Sequence, residues 1–96
     1  MPKKQEAKKL SKKRVRFTLG APEAQKVILM GDFNNWNPKT HIMKKDDQGM
    51  WSKVVMLTPG NYEYKFLVDG DWRNDPHNDQ TVPNCFGTFN NGLTVR

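Results

Sequence analysis

The 96-residue sequence holds a single cysteine, Cys85, and only two histidines, His41 and His77. One thiol excludes an internal disulfide and offers no cysteine cluster to a metal. No apolar run approaches the ~20 residues that cross a bilayer, so no membrane association is expected. Lys3, Lys4, Lys8 and Lys9 are not followed by the apolar core of a secretory signal, and the expected location is the cytoplasm. G-x-S-x-G, H-E-x-x-H and a phosphate-binding glycine loop are all missing. Neither histidine has a carboxylate and nucleophile around it. Asp69, Asp71, Asp75 and Asp79 do not have the spacing of a calcium loop and read as turn formers. Cys85 reads as a small buried thiol. The expectation is a protein that is not an enzyme and holds no cofactor or metal.

Charge is unevenly spread. Residues 1–16 carry eight of the sixteen basic side chains and one acid, Glu6, whereas residues 17–96 carry eight basic and nine acidic ones. Basicity therefore belongs to the start of the chain. "MPKKQEAKKLSKKR" has too little apolar content to offset its ordering entropy, so residues 1–13 read as a disordered basic tail and 14–96 as one folded module. Nucleic acid binding is not expected, because the folded part has no basic cluster beyond Lys44-Lys45.

What is abundant is turn chemistry between short apolar stretches. "RVRFTL" alternates with Val15, Phe17 and Leu19 on one side, and Gly20-Ala21-Pro22 stops it. "KVILM", a weak "HIMKK", "MWSKVVML", "NYEYKFLV" and "GLTVR" follow, separated by "DFNNWNPK", "DDQG", Pro59-Gly60, Asp69-Gly70 and a long polar segment from Asn74. Turn signals about every ten residues and no helical period give an antiparallel β-sandwich of about seven strands. The expected core is Val15, Phe17, Ile28, Met43, Trp51, Val55, Leu57, Tyr62, Tyr64, Phe66 and Val68. Lys53 interrupts the inward set of its strand and implies an edge or a bulge.

The hairpin "NYEYKFLVDGDWR" poses a specific problem. Asp69-Gly70 suits a two-residue turn, which sets Trp72 opposite Leu67, on the face of Lys65 and away from Tyr64 and Phe66. A large ring on the side that is not the core needs a partner. Trp36 lies in an asparagine-rich loop and is equally compatible with a core residue tucked under that loop. "CFGTFNN" supplies Phe86, Thr88 and Asn90 at alternating positions. Aromatic planes with a few amide and ammonium donors suit a neutral polyhydroxylated ligand, whose C–H face stacks on rings while its hydroxyls meet the polar groups.

"ILMGDFNNWNP", "GMWSKVVMLTPGNYEYKFLVDGDWRNDP" and "FGTFNNGLTV" together resemble the family 48 carbohydrate-binding modules. That family includes the glycogen-binding domain of AMP-activated protein kinase β subunits and the N-terminal modules of branching and debranching enzymes. The resemblance covers Arg14 to Arg96. It implies an immunoglobulin-like β-sandwich of the early-set type and binding of α-1,4-linked glucan such as glycogen, starch or a maltooligosaccharide. Carried onto this sequence, it implies that Trp36 and Trp72 stack on glucose rings and that Lys65, Thr88 and Asn90 meet hydroxyls. Phe86 stands where kinase members have an aliphatic contact residue. A monomer is expected. The alternative is a module of the same fold that docks onto a glycogen-metabolising enzyme without binding sugar itself.

Overall fold

The computed structural model describes residues 11–96. They form β1 (Lys13–Gly20), β2 (Val27–Gly31), a 3-10 turn (Asp32–Asn34), β3 (Lys44–Lys45), β4 (Met50–Leu57), β5 (Gly60–Val68), β6 (Asp71–Arg73), β7 (Thr81–Pro83) and β8 (Phe89–Val95). One antiparallel sheet has the order β1-β4-β3, the other β2-β5-β8-β7 with β6 also on β5. The result is the expected immunoglobulin-like sandwich, with one strand more than the turn signals suggested. β1 opens at Lys13, a residue before the expected module boundary, and Arg14 and Arg16 are strand residues. Most of the expected tail, residues 1–10, lies outside the described residues.

β5 is the spine. One edge pairs with β2 from Tyr64 to Val68, and the other pairs with β8 from Gly60 to Tyr64 and with β6 from Phe66 to Val68. Its alternation does what the sequence implied: Tyr64, Phe66 and Val68 enter the core and meet Phe17, Leu19, Trp51, Val55 and Leu57 from the opposite sheet. The Phe17 ring meets Tyr64 edge-on at 5.0 Å and 73°. Each large apolar side chain buried this way contributes about 1.5–3 kcal/mol.

Individual strands differ from expectation in two details. Ile28 is buried as expected, but the register of β2 sends Val27 and Leu29 into the main cluster and turns Ile28 and Met30 to the outer face. Both stay buried, Ile28 beside its bridge partner Ile42. A continuous apolar run has no period, so its parity was open. "HIMKK" is not one strand but a crossing between sheets. Leu29 N donates to His41 O and Met43 N to Val27 O, both at 2.9 Å, before Lys44 and Lys45 pair with β4. β3 reaches only Ser52 and Trp51, so Lys53 sits just beyond it on a free edge; the β1–β4 register runs through without a bulge.

Polar joints hold the loops that leave this frame. The buried Asn34 takes Gly31 N on Oδ1 (3.2 Å) and donates through Nδ2 to Leu29 O (3.0 Å) and to His41 Nδ1 (2.8 Å). That last bond requires a neutral imidazole with Nδ1 bare. Asn91, fully buried, accepts from Asp75 N at 2.6 Å and donates to Asn78 O at 3.1 Å, tying down the segment after β6. Tyr64 Oη donates to Asp75 Oδ2 at 2.7 Å and accepts from Asn78 Nδ2 at 3.0 Å. Burial foremost holds this phenol far above the ordinary tyrosine range.

Gly31 and His41 each yield a prediction. A Cβ on Gly31 would lie 2.6 Å from Glu63 O and 2.8 Å from the Phe33 ring. The backbone oxygen cannot give way, so Gly31→Ala should lower stability by about 2 kcal/mol, read as a lower urea midpoint at unchanged slope. Burial, and then the charge of Lys53, lower the His41 pKa below 6.5. The unfolded chain therefore takes up the proton first, and stability that is complete above 6.5 is lost as pH falls below it. The melting temperature should fall as the pH drops below about 6.5, and His41→Gln, which accepts from Asn34 without titrating, should flatten that slope.

Candidate functional site

The outer face of the β2-β5-β8-β7 sheet gathers the residues that the core has no use for. Asp69 and Gly70 have φ of 48° and 88°, both left-handed, which makes the two-residue turn real and sets Leu67 opposite Trp72. Trp72 is 51% exposed beside Lys65, whose ammonium lies 5.9 Å from the indole centroid. Lys65 itself is only 7% exposed. Its ammonium over the ring is a cation–π arrangement, with the stem buried and the charged head at the site.

Trp36 is not a core residue; it comes to the same place from the other side. Asn35 and Trp36 both have left-handed backbones, φ 56° and 57°. Such a conformation is costly for a bulky residue and persists only when its surroundings enforce it. Trp36 N donates to Gly31 O at 2.9 Å, and Trp36 Nε1 donates to Asp32 Oδ1 at 3.1 Å. Asp32 Oδ2 in turn accepts Glu63 N from β5 at 2.8 Å. One carboxylate thus fastens the indole to the spine. The Trp36 and Trp72 rings end 6.3 Å apart at 66°.

The third wall is the loop between β7 and β8, and Asn84 builds it. Asn84 Oδ1 accepts Phe86 N at 3.0 Å and Thr88 N at 3.1 Å, and Gly87 supplies a left-handed φ of 80°. Asn84 Nδ2 donates to Thr88 Oγ1 (2.9 Å) and Asn90 Oδ1 (3.0 Å). Lys65 Nζ donates to Thr88 Oγ1 at 3.2 Å, and Asn90 Nδ2 to Glu63 Oε1 at 3.0 Å. Phe86 projects from the tip, 85% exposed. Cys85 is exposed rather than buried, because the loop that carries it stands clear of both sheets.

These walls enclose an open hollow of about 660 Å³, which brings Trp36, Lys65, Trp72, Phe86, Thr88 and Asn90 together as expected from the sequence. Met30, Asp32, Glu63, Asn84 and Cys85 also line it and were not anticipated. Asp32 and Glu63 had no role expected from the sequence; the bonds from Trp36 Nε1 and Glu63 N to Asp32, and from Asn90 Nδ2 to Glu63, give them a place. Asn84 carried a local signal, the asparagine-to-glycine turn pattern before Thr88. Chemically the hollow offers two splayed aromatic planes, an ammonium and a ring of amide and hydroxyl groups. Among the described residues, no three metal-ligating side chains come together.

The chain is similar to known proteins. Residues 13–96 match the family model described as the glycogen recognition site of AMP-activated protein kinase. The chain is 40% identical over 88 residues to Protein FLOURY ENDOSPERM 6, chloroplastic, of Oryza sativa subsp. japonica, which is 92% of this chain and 16% of that protein. It is 34% identical over 82 residues to 5'-AMP-activated protein kinase subunit beta-2 of Homo sapiens, 85% of this chain and 28% of that one. It is 40% identical over 75 residues to a 1,4-alpha-glucan branching enzyme GlgB of Deinococcus radiodurans, 78% of this chain and 10% of that enzyme. The chain thus spans less than a third of each relative's length. The matched region is a binding module, a non-catalytic domain type. By the match across its whole folded part, the chain belongs to the family of glycogen-recognition carbohydrate-binding modules.

Proposed function

We propose that the hollow binds an α-1,4-linked glucan, such as glycogen, starch or a maltooligosaccharide, and that the chain works by binding alone. The observation that carries this reading is the pair of tryptophans at 6.3 Å and 66° with the Lys65 ammonium against one of them. Two planes set at an angle follow the curvature of an α-linked chain, whereas a flat β-linked chain needs coplanar platforms. Trp36 and Trp72 stack on successive glucose rings. Lys65, Thr88 and Asn90 present donors and acceptors to the hydroxyls, and Phe86 closes the site from its tip. The family's description as a glycogen recognition site agrees with it. Much of the ligand stays wet on so open a surface, so the dissociation constant should be about 10⁻⁵ to 10⁻³ M.

A second reading has one observation in its favour. Phe86 is 85% exposed and Trp72 51%, a combination that also suits a hot spot for a protein partner such as a glycogen-metabolising enzyme. Under that reading, Trp72→Ala weakens a protein complex and has no sugar affinity to remove.

Titration with maltoheptaose, followed by tryptophan fluorescence, separates the two. The expected outcome is a saturable change that cellohexaose does not produce and that Trp72→Ala weakens at least about tenfold. Silence from both sugars would leave the protein-docking reading. Binding should also change little with added salt, since a neutral glucan releases no counterions. Asp32 gives a second prediction. Asp32→Ala frees the Trp36 indole, so the emission maximum should shift and maltoheptaose affinity should fall by roughly three- to tenfold, with Trp72 untouched.

A further inference from the structure

We infer that the binding surface extends past the tryptophans into a second subsite, made possible by Gly92, that takes the next sugar units of a longer α-glucan. This rests on the reading of the tryptophan hollow given above. Asp32 and Glu63 line that hollow, and they also line a shallower one of about 240 Å³ on their far side. The two acids are therefore a shared ridge, and the two hollows form one groove along the outer face of β5. Outward residues continue from Lys65 through Glu63 to Asn61, opposite Gly92 and Thr94 of β8.

Gly92 makes the second hollow. It sits inside a strand, where glycine weakens pairing and often marks a close approach by a ligand. A Cβ there would stand 3.3 Å from Val82 Cγ2 and 3.7 Å from Gln80 Cβ, and its backbone is not in the left-handed region. Conformation thus gives no reason for a glycine; a Cβ would press on the Val82 side chain, and any larger side chain would also occupy the groove. The floor is apolar, Val82 and bare backbone. The walls are amide and hydroxyl groups from Asn61, Gln80 and Thr94. Thr94 Oγ1 donates to Asn61 Oδ1 at 2.9 Å, which keeps Asn61 Nδ2 as a donor for a ligand.

An apolar strip flanked by neutral donors and acceptors is the chemistry of a pyranose, with C–H groups below and hydroxyls at the side. The two carboxylates on the ridge accept hydroxyls and repel anions, which makes the ligand a neutral sugar. Tyr62 also lines this second hollow, but its ring packs inward against the core and Phe33, so the hollow adds to a chain already held by the tryptophans and does not capture one alone.

The test compares maltotriose with maltoheptaose by calorimetry, on wild type, Gly92→Val and the Asn61→Ala/Thr94→Ala pair. Asn61 and Thr94 are exposed, so that pair keeps the fold if the valine does not. Wild type should bind maltoheptaose about tenfold more tightly than maltotriose, and both variants should bring the two within about twofold while leaving maltotriose unchanged. Equal affinity of wild type for the two sugars overturns the subsite and leaves the tryptophan site standing. A chain-length preference that survives in the Asn61/Thr94 pair also overturns it. If wild type binds neither sugar, the glucan reading itself falls, and the subsite with it.

Discussion

The register of β5 against its neighbours is the constraint from which everything else in this module descends. A strand's side chains alternate, so the same nine residues that send Tyr64, Phe66 and Val68 into the core must send Lys65 and Leu67 outward. The left-handed Asp69-Gly70 turn transmits that parity to β6 and delivers Trp72 beside Lys65. Pairing with β8 puts Asn90 and Gly92 on the outer face while Asn91 goes in. A slip of one residue would bury the tryptophan and expose the tyrosine. The core and the binding surface are therefore two faces of one alternation, and the apolar packing below is what fixes the geometry above.

The asparagines solve the next problem, which is how irregular loops can be held to better than the width of a side chain. Asn34, Asn84 and Asn91 each use both ends of the amide, accepting from backbone N–H groups and donating to carbonyl, hydroxyl or imidazole partners. Asn34 and Asn91 tie down segments outside the regular strands, and Asn84 shapes the loop that joins the paired strands β7 and β8. An aspartate could accept but not donate, and a leucine could do neither. What reads in the sequence as a hydrophilic, turn-rich composition is in space a set of joints on which Trp36, Phe86 and the segment after Trp72 are mounted.

That difference explains how much was legible. Strand positions, the sandwich and the outward parity of Trp72 follow from period-2 patterns and turn dipeptides, which are local properties. The six residues expected at the site do meet in one hollow, because the β5–β6 turn and the loops after β2 and β7 bring them to one face of the sheet. Ile28 is buried as expected, but which face it takes was not legible, for want of a period in "KVILM". Cys85 was misread because nothing local distinguishes a thiol in a core from one on a projecting loop. Asp32 and Glu63 were missed for a third reason. Their roles rest on bonds spanning 31 and 27 residues, which a single sequence does not display.

Those two acids also bear on what the surface is suited to hold. Lys65 alone in an aromatic hollow would favour an anion. Here its ammonium faces Thr88, and Asp32 and Glu63 stand on the same rim, each already receiving a protein donor. Opposite charges within one open site cancel at a distance while keeping their hydrogen-bonding capacity close up. A phosphate or carboxylate ligand would gain from Lys65 and lose to the two acids. A polyol loses nothing, because each hydroxyl can donate to a carboxylate and accept from an ammonium or amide. The charge arrangement thus suits the proposed neutral, hydroxyl-rich ligand through the same side chains that fix the Trp36 ring, so that positioning and charge balance rest on one set of bonds.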